Sequence, residues 1–356
     1  MTERNLTIIK IGTNALIENG GRIREELVSE ALSVANTMLA DGAAVMIVTS
    51  GAVRLGRNHT PGKELSKAVA ASVGQPILFG GYDAQAKKLG IHLAHFLLTR
   101  ATIVERTQFL NFQKTCQELF DLGIVPIVNE DDAITAGTDW SFGDNDSLAS
   151  ALAVSLAAKQ LIIVSHVKGL FDKDPTKEKD AKLISEISNL NDTFLEYSSK
   201  SVSANSSGGM MSKLKSARIC IAAGVAVSII SGLDEGSLTK ACKGEPVGTR
   251  FQVHARKNPI ANRERWILAA KNSAGSIQVD KGAAEALDAG KSLLAVGVKK
   301  IYGIFEPNEV IEILNDKSKG IAFGIVEASS KDIEDMIAKN DTHQKRLIHA
   351  NNLFIL

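Results

Sequence analysis

Between residues 6 and 251, short apolar runs alternate with helical patterns, and this alternation constrains the fold more than any other feature. The runs are apolar on both faces and predict strands over Ile8–Ile11, Val45–Val48, Ile91–Leu98, Ile124–Val128, Leu161–Val164 and Val225–Ile230. Helical spacing predicts helices over Leu27–Leu39, Gln108–Leu122 and Leu148–Ala158. Buried strands that alternate with helices indicate an α/β fold, a three-layer αβα sandwich around a mostly parallel sheet. In such sheets ligands bind beyond the carboxyl ends of the strands.

The pattern changes after Phe251. Residues 252–262 are polar and contain Pro259, which is typical of a linker. Later runs predict the short strands of a small β-rich domain, over Gly275–Val279, Val298–Tyr302, Val310–Leu314 and Ile321–Val326. We therefore expect a first domain at residues 1–251, a linker at 252–262 and a second domain at 263–356.

Two lysines at opposite ends of the first domain suggest a phosphate site. Lys10 interrupts the first apolar strand, where a cation is costly unless an anion meets it. Lys213 follows the glycine-bearing run Ser206–Ser212, where a helical pattern begins, and such turns present backbone N–H groups to anions. Each lysine alone has a simpler explanation, since Lys10 could protect an edge strand and Lys213 could be a solvated helix residue. The pair, together with the loops between them, favours a phosphate clamp.

Polar loops follow several of the predicted strands. Thr49–Val53 follows the second strand, Asn129–Ala133 follows the strand at Ile124, and Phe142–Asp146 opens the buried helix. Any one of them could be ordinary turn or capping chemistry. Because the carboxyl ends of parallel strands share one edge, several such loops there favour a binding site.

The acidic cluster between Glu130 and Asp146 could hold Mg²⁺ through oxygen ligands, or it could be a solvated loop. His92 and His95 lie in an apolar stretch and are interpreted as structural. Neither Gly56–Glu64 nor Gly290–Ser292 has the spacing of a phosphate-binding P-loop. No Ser-His-Asp or Cys-His arrangement indicates nucleophilic catalysis.

Composition limits the class of protein. The formal net charge of +1 gives no whole-chain field that favours nucleic acid or membrane. The three cysteines are far apart, which argues against a CxxC zinc site and a disulfide framework. The chain enters a strand with no basic-then-apolar leader and has no apolar stretch of bilayer-spanning length, so a cytoplasmic protein is expected.

These motifs resemble the amino acid kinase family, and within it the branch that phosphorylates the side-chain carboxylate of L-glutamate. The resemblance is carried by Lys10–Thr13, Val48–Val53, Val128–Ala133, Phe142–Asp146, Gly169–Pro175 and Gly208–Lys213. The later part of the chain resembles a PUA domain, beginning at Asn262–Ile267. The combination is specific, because related kinases of this fold usually lack a PUA domain.

The resemblance implies a role for each motif. Lys10 and Lys213 would contact the ATP phosphates, and Asp146 would orient both ammonium groups. Glutamate-binding positions would be Ser50, Asp132 and Asn145. Nucleotide contacts would also come from Gly12, Ser165, His166, Ser207, Gly208, Gly209, Met210, Met211 and Ser212. The family usually has Thr-Asp at Ser165-His166 and Thr at Ser207; serine keeps the hydroxyl, whereas His166 does not replace a carboxylate.

The implied activity is ATP-dependent formation of L-glutamyl 5-phosphate, the first step of proline biosynthesis, with ATP and Mg²⁺ as cofactors. It further implies feedback inhibition by proline, a homodimer or homotetramer, and delivery of the product to a glutamyl phosphate reductase.

Three other functions remain open at this point. A kinase of the same fold could act on another acid, carbamate or a nucleoside monophosphate. An RNA-binding protein is suggested by residues 250–300, which hold ten Lys or Arg against four Asp or Glu. This stretch has few aromatic residues to stack on bases, so binding of nucleic acid is not expected. An inactive homologue is suggested only by His166.

Overall fold

The structure is a computed structural model, and it describes residues 5–173, 175, 177–188, 208–253, 260–270, 275–339, 341–342 and 345–356. The chain divides into two compact units, Met1–Arg256 and Lys257–Leu356. The linker bounds of 252–262 stay a prediction, since residues 254–259 lie outside the described part of the chain.

The first unit alternates strands and helices along the chain. Its strands are β1 Leu6–Ile11, β2 Ala44–Val48, β3 Leu93–Leu98, β4 Val125–Glu130, β5 Gln160–Ser165, β6 Leu170–Phe171, β7 Leu183–Ile184, β8 Glu186–Ile187, β9 Ala226–Ser231 and β10 Thr249–Phe251. Its helices are α1 Thr13–Leu16, α2 Glu25–Ala40, α3 Ala52–His59, α4 Lys67–Leu89, α5 Ala101–Val104, α6 Arg106–Asp121, α7 Asp132–Thr135, α8 Asn145–Ser155, α9 Gly208–Ala222 and α10 Ser237–Cys242. Each strand and helix predicted for this domain is present, with bounds shifted by a few residues.

The main sheet has eight strands in the order β3-β4-β2-β1-β5-β9-β10-β8. Every neighbouring pair from β3 to β9 is parallel, and β10 runs antiparallel to β9. All residues of β1, β2 and β4 are buried. Because successive side chains of a strand face opposite sides, both faces of the sheet centre are covered. The predicted three-layer α/β architecture is confirmed.

Helix α4 is a long element that the sequence pattern did not predict. It begins after Ser66, whose Oγ accepts a hydrogen bond from the Val69 backbone N–H, and ends at Gly90 with φ of 68°. Small residues rather than an apolar stripe bring it against α3, since a Cβ at Gly74 would overlap the Ala52 carbonyl. This close approach places the polar face of α4 beside the carboxyl ends of the central strands.

The second unit is built around a five-stranded sheet in the order β13-β11-β14-β15-β17. Its strands are β11 Gly275–Val279, β12 Leu293–Leu294, β13 Val298–Gly303, β14 Val310–Leu314, β15 Gly320–Ile325, β16 Arg346–Ile348 and β17 Leu353–Ile355. Its helices are α11 Asn262–Ala269, α12 Lys281–Asp288 and α13 Ser330–Ala338. The predicted strands and the β-rich character are confirmed. The short helices were not predicted.

Candidate active site

The parallel strands of the first unit bring the predicted site residues to one edge of the sheet. Lys10 lies in β1, which is flanked by β2 and β5, so Lys10 does not protect an edge strand. Ser50 follows β2, and Ser165 ends β5. The helices α8 and α9 begin beside this edge and supply Asp146 and Lys213.

Two ammonium groups meet one carboxylate at this edge. Lys10 Nζ lies 2.7 Å from Asp146 Oδ1, and Lys213 Nζ lies 3.1 Å from Asp146 Oδ2. The three side chains are 7%, 12% and 5% exposed for Lys10, Lys213 and Asp146. Burial alone would raise the pKa of Asp146, but the charges of Lys10 and Lys213 outweigh it and hold that pKa below its ordinary value. We call these three residues the cation end of the site, since they carry one net positive charge.

Local structure at the start of α8 and α9 fixes the cation end. Asp144 caps α8, because its Oδ1 accepts a hydrogen bond of 2.7 Å from the Ser147 backbone N–H. Its Oδ2 accepts a 2.6 Å bond from the Ser212 hydroxyl of α9. Lys213 also donates to the Gly209 carbonyl at 3.1 Å. Asp144 therefore joins the first turns of two helices, and this junction brings Asp146 and Lys213 within contact distance.

Ser50 connects the loops that follow β1 and β2. Its hydroxyl donates to the Ile11 carbonyl at 2.8 Å and accepts from the Thr13 hydroxyl at 3.1 Å. Gly51 has φ of 111°, and a Cβ there would lie 2.5 Å from Ile17 Cδ1, so only glycine fits this turn. The predicted substrate residue Ser50 thus also holds the strand ends together.

Asp132 and Asn145 lie on the β4 side of the edge. Asp132 Oδ1 is 2.8 Å from Lys67 Nζ at the start of α4. Asn145 donates from Nδ2 to Asn129 Oδ1 at 3.1 Å, and Asn129 is buried at the end of β4. We call Ser50, Asn129, Asp132 and Asn145 the acceptor end of the site.

A pocket of about 390 Å³ opens beside the acceptor end, between α4, β3 and the loop after β4. Gln75, Phe79, His95, Glu130, Asp131 and Asp132 are among its lining residues. Glu130 is buried, and its Oε1 accepts from the Ser141 hydroxyl at 2.6 Å and from the Phe142 backbone N–H at 2.7 Å. Burial raises the pKa of Glu130 despite these bonds. The loop is therefore tied to β4 by a buried carboxyl, although Asp139 and Asp144 within it are exposed.

Several of the predicted nucleotide residues lie in or next to the elements that carry the cation end. Gly12 donates its backbone N–H to the Val164 carbonyl at 2.9 Å, and a Cβ at Gly12 would lie 3.5 Å from Lys10 Nζ. Ser165 is buried at the end of β5. His166 is exposed, and partial burial of its ring together with the charge of Lys213 lowers its pKa. Residues Gly208, Gly209, Met210, Met211 and Ser212 form the first turns of α9, whereas Ser207 lies outside the described residues.

The acidic cluster does not assemble a metal centre of its own. Among the described residues, no three His, Cys, Asp or Glu side chains form a group able to hold a metal ion. Asp146 is already paired with two lysines, Asp132 with Lys67, and Asp144 caps a helix. These pairings use the carboxylates that an all-protein magnesium site would need.

Sequence reasoning missed the residues that α4 supplies. Lys67 and Gln75 belong to this helix, and Tyr82, fully buried, donates to the Thr49 hydroxyl at 3.0 Å. Asn129 lies inside a motif that carried the resemblance, yet it was not assigned to the site. Helix α4 has no apolar stripe, so the sequence pattern did not predict it. Its polar residues could therefore not be assigned to the site from the sequence.

Across the described part of the chain, no helix combines the length and apolarity needed to cross a bilayer.

Comparison with known proteins agrees with this architecture. The model of the amino acid kinase family matches residues 5–231, and the PUA domain model matches residues 275–346. The glutamate 5-kinases of Salmonella arizonae and Salmonella newport are each 37% identical to this chain over 356 residues, covering 98% of this chain and 95% of each relative. A solved structure of isopentenyl phosphate kinase, 18% identical, covers 69% of this chain and 100% of its own with a TM-score of 0.49. From the family model and the curated relatives, this chain belongs to the amino acid kinase family, in the group formed by the glutamate 5-kinases.

Proposed function

We propose that the protein transfers the γ-phosphoryl group of ATP to the side-chain carboxylate of L-glutamate, giving L-glutamyl 5-phosphate in the first step of proline biosynthesis. The observation that carries this proposal is the meeting of Lys10 and Lys213 on Asp146, beside an acceptor end lined by amide and carboxylate groups. The names of the curated relatives support the choice of glutamate as acceptor.

The chemistry needs no general base. A glutamate side chain has an ordinary pKa of about 4.3, so it is an ionised nucleophile near neutral pH. A carboxylate oxygen forms a bond to the γ-phosphorus, the bond from that phosphorus to the β–γ bridging oxygen breaks, and ADP leaves with the electron pair. The obstacle is electrostatic, because an anion must approach a polyanion.

The cation end meets this obstacle. Charge spreads over the equatorial oxygens of the migrating phosphoryl group in the transition state, and prearranged cations stabilise it. Lys10 approaches from β1 and Lys213 from α9, while Asp146 keeps both ammonium groups placed before the nucleotide binds. Because these side chains are largely buried, water screens their electrostatic attraction for the phosphates less than it would in bulk solution.

Mg²⁺ bound to the ATP phosphates would supply further positive charge when present. The donor set fits an ion carried in on the nucleotide, since the nearby carboxylates of Asp132, Asp144 and Asp146 are each engaged by protein groups. Gly12 and the first turns of α9 would border the phosphates, and Ser165 and His166 the nucleoside.

The proposal extends to partners and organisation. Proline would act as inhibitor at or near the acceptor end, the protein would form a homodimer or homotetramer in the cytoplasm, and a glutamyl phosphate reductase would consume the labile product. Nucleic acid is not a proposed partner. Residues 1–251 would form the catalytic domain and 263–356 the PUA-like domain, joined by 252–262.

A substrate panel with an acyl phosphate trap tests the reaction. The purified chain is incubated with ATP, Mg²⁺ and hydroxylamine, and with L-glutamate, L-aspartate, carbamate or UMP as acceptor. We expect hydroxamate to form with L-glutamate at a rate far above every other acceptor. Faster ADP release with UMP or carbamate than with glutamate would contradict the assignment.

A further inference from the structure

A series of hydrogen bonds between side chains runs from Asn145 at the acceptor end to His95 in β3, the outermost strand of the sheet. Asn145 Nδ2 donates to Asn129 Oδ1 at 3.1 Å, and Asn129 Nδ2 donates to Gln75 Oε1 at 2.8 Å. Gln75 Nε2 then lies 2.8 Å from His95 Nε2. We call these four residues the amide relay. It joins α8, β4, α4 and β3, so four separate elements contribute one residue each.

The relay has a direction. A primary amide has one donor end and one acceptor end, so each member fixes the orientation of the next. With His95 Nε2 as acceptor, Gln75 turns its NH₂ group toward the ring and its oxygen toward Asn129. At the other end of the relay, the Asn145 NH₂ group donates to Asn129 Oδ1, and Asn145 Oδ1 has no partner within the relay. That oxygen is buried and accepts no hydrogen bond from any residue that the structure describes.

His95 controls this direction through one nitrogen. Its ring stacks on Phe79 with centroids 4.4 Å apart and planes 14° from parallel, which fixes the ring plane. Partial burial lowers the pKa of His95, so the neutral ring prevails at pH 7 and Nε2 can accept when Nδ1 carries the proton. A proton on Nε2 would turn that acceptor into a donor. Every amide in the relay would then have to turn over, and Asn145 would present NH₂ in place of oxygen.

We propose that His95 and Gln75 are positioning residues, which hold the Asn145 oxygen toward the α-ammonium group of the acceptor amino acid and withdraw it when His95 Nε2 is protonated. The inference rests on the proposed function. An ammonium group has three donors and no acceptor, so it matches an oxygen and is repelled by an NH₂ group. A buried acceptor without a partner is costly, and a ligand donor would remove that cost.

Other charged groups face the pocket beside His95. Glu130, Asp131 and Asp132 line it from β4 and α7, and Lys67 of α4 is paired with Asp132. Burial raises the pKa of Glu130, so its carboxyl is a second group beside the pocket whose protonation could respond to acidification. A test must therefore separate His95 from Glu130.

Two substitutions of His95 make that separation. His95→Gln keeps an oxygen that can accept from Gln75 and removes the titration, while Glu130 is unchanged. His95→Phe keeps an aromatic ring to stack on Phe79 and removes the acceptor. His92→Gln is the matched control, because His92 is an exposed histidine of the same stretch. Urea unfolding of each variant establishes that it is folded.

The measurement is KM for glutamate, KM for ATP and kcat between pH 5.5 and 7.5, a range in which the glutamate side chain stays ionised. In the wild type and His92→Gln, we expect KM for glutamate to rise progressively as pH falls, toward a limit of about tenfold when His95 is fully protonated, since a hydrogen bond to a charged group is lost, with much smaller changes in kcat and KM for ATP. His95→Gln should keep the neutral-pH KM within about twofold and show no acid rise. His95→Phe should have a KM about tenfold higher at every pH.

Two results would overturn the proposal: an acid rise that persists in His95→Gln, which assigns it to Glu130, or an unchanged neutral-pH KM in folded His95→Phe. Neither result affects the proposed function, which is tested separately by the hydroxamate trap and by the comparison of ADP release among acceptors.

Discussion

The two ends of the site are built from opposite chemistry. The cation end consists of full charges, with two lysines sharing one buried carboxylate. The acceptor end consists mostly of neutral amides and a hydroxyl, backed by a buried carboxyl whose pKa is raised. Asp146 and Glu130 are both buried, yet their pKa values shift in opposite directions because only Asp146 has cations within contact distance.

This difference indicates how one site can accommodate two anionic substrates. A polyphosphate is attracted to the net positive charge of the cation end. This attraction depends on charge and distance and does not discriminate the shape of the ligand. An amino acid must be recognised by hydrogen bonds of defined direction, which neutral amides provide. Substitutions at the cation end should therefore affect turnover, and those at the acceptor end should affect affinity for the acceptor.

The largest expected effect is at the cation end. Lys10→Ala and Lys213→Ala should each lower kcat about a hundredfold or more, because each removes a cation that acts on transition-state charge. KM for glutamate should change far less. Lys215→Ala, which removes an exposed lysine from the same helix, is the control and should retain wild-type kinetics. Steady-state assays decide this, and wild-type turnover in folded Lys213→Ala would remove that residue from the mechanism.

The next effect concerns stability. Asp146→Asn leaves two ammonium groups without their carboxylate and should lower the free energy of unfolding by about 3 kcal/mol at pH 7. The pKa of Asp146 is lowered in the folded state, so its contribution is present above the unfolded value of about 3.9 and is lost as pH falls through the folded value. The difference between wild type and variant, from urea unfolding at several pH values, should therefore shrink below about pH 4.

Glu130→Gln provides the opposite case. A raised pKa means that the folded protein favours the protonated acid, so the penalty of ionisation grows as pH rises from about 4.3 through the folded value. In the wild type this penalty lowers the free energy of unfolding as pH rises, and Glu130→Gln should abolish that fall. The glutamine keeps an oxygen that can accept from Ser141 and Phe142. If both variants altered the pH profile in the same direction, the proposed contrast between the two ends would be wrong.

A smaller effect is expected at Asp132. Asp132→Ala should raise KM for glutamate about tenfold through loss of a charged contact, with kcat changed less. Asp139→Ala is the control, since Asp139 is an exposed carboxylate of the same loop. An unchanged KM for glutamate in folded Asp132→Ala would exclude this residue from the substrate contacts.

The smallest effect is expected at His166. Its side chain is exposed, so His166→Ala should change KM for ATP by about twofold at most and leave KM for glutamate unaltered. The two constants measured side by side decide this. A large rise in KM for ATP would show that His166 replaces the family's usual carboxylate in a substantial contact.

The same contrast explains what the sequence could predict. A lysine inside the apolar run of β1 is costly without a counterion, so Lys10 indicated a charged site before any geometry was known. Alternating apolar runs likewise predicted the sheet. Helix α4 gave no such signal, because its contacts depend on glycines such as Gly74 rather than on an apolar stripe.

Hydrogen bonds between distant residues account for the rest. The bond from Gln75 to Asn129 spans 54 positions of the chain, and that from Tyr82 to Thr49 spans 33. No local pattern marks such pairs, since each member is common in ordinary helices and turns. They become visible only when the fold places α4 beneath the strand ends.

Binding of a transition-state mimic tests the central claim most directly. Calorimetric titration of ADP, Mg²⁺ and aluminium fluoride in the presence of glutamate measures affinity for a species that resembles the migrating phosphoryl group. The wild type should bind the mimic far more tightly than ADP with glutamate, and Lys10→Ala and Lys213→Ala should each weaken that binding about a hundredfold, with affinity for ADP reduced much less. Equal affinity of folded variants and wild type for the mimic would contradict the account.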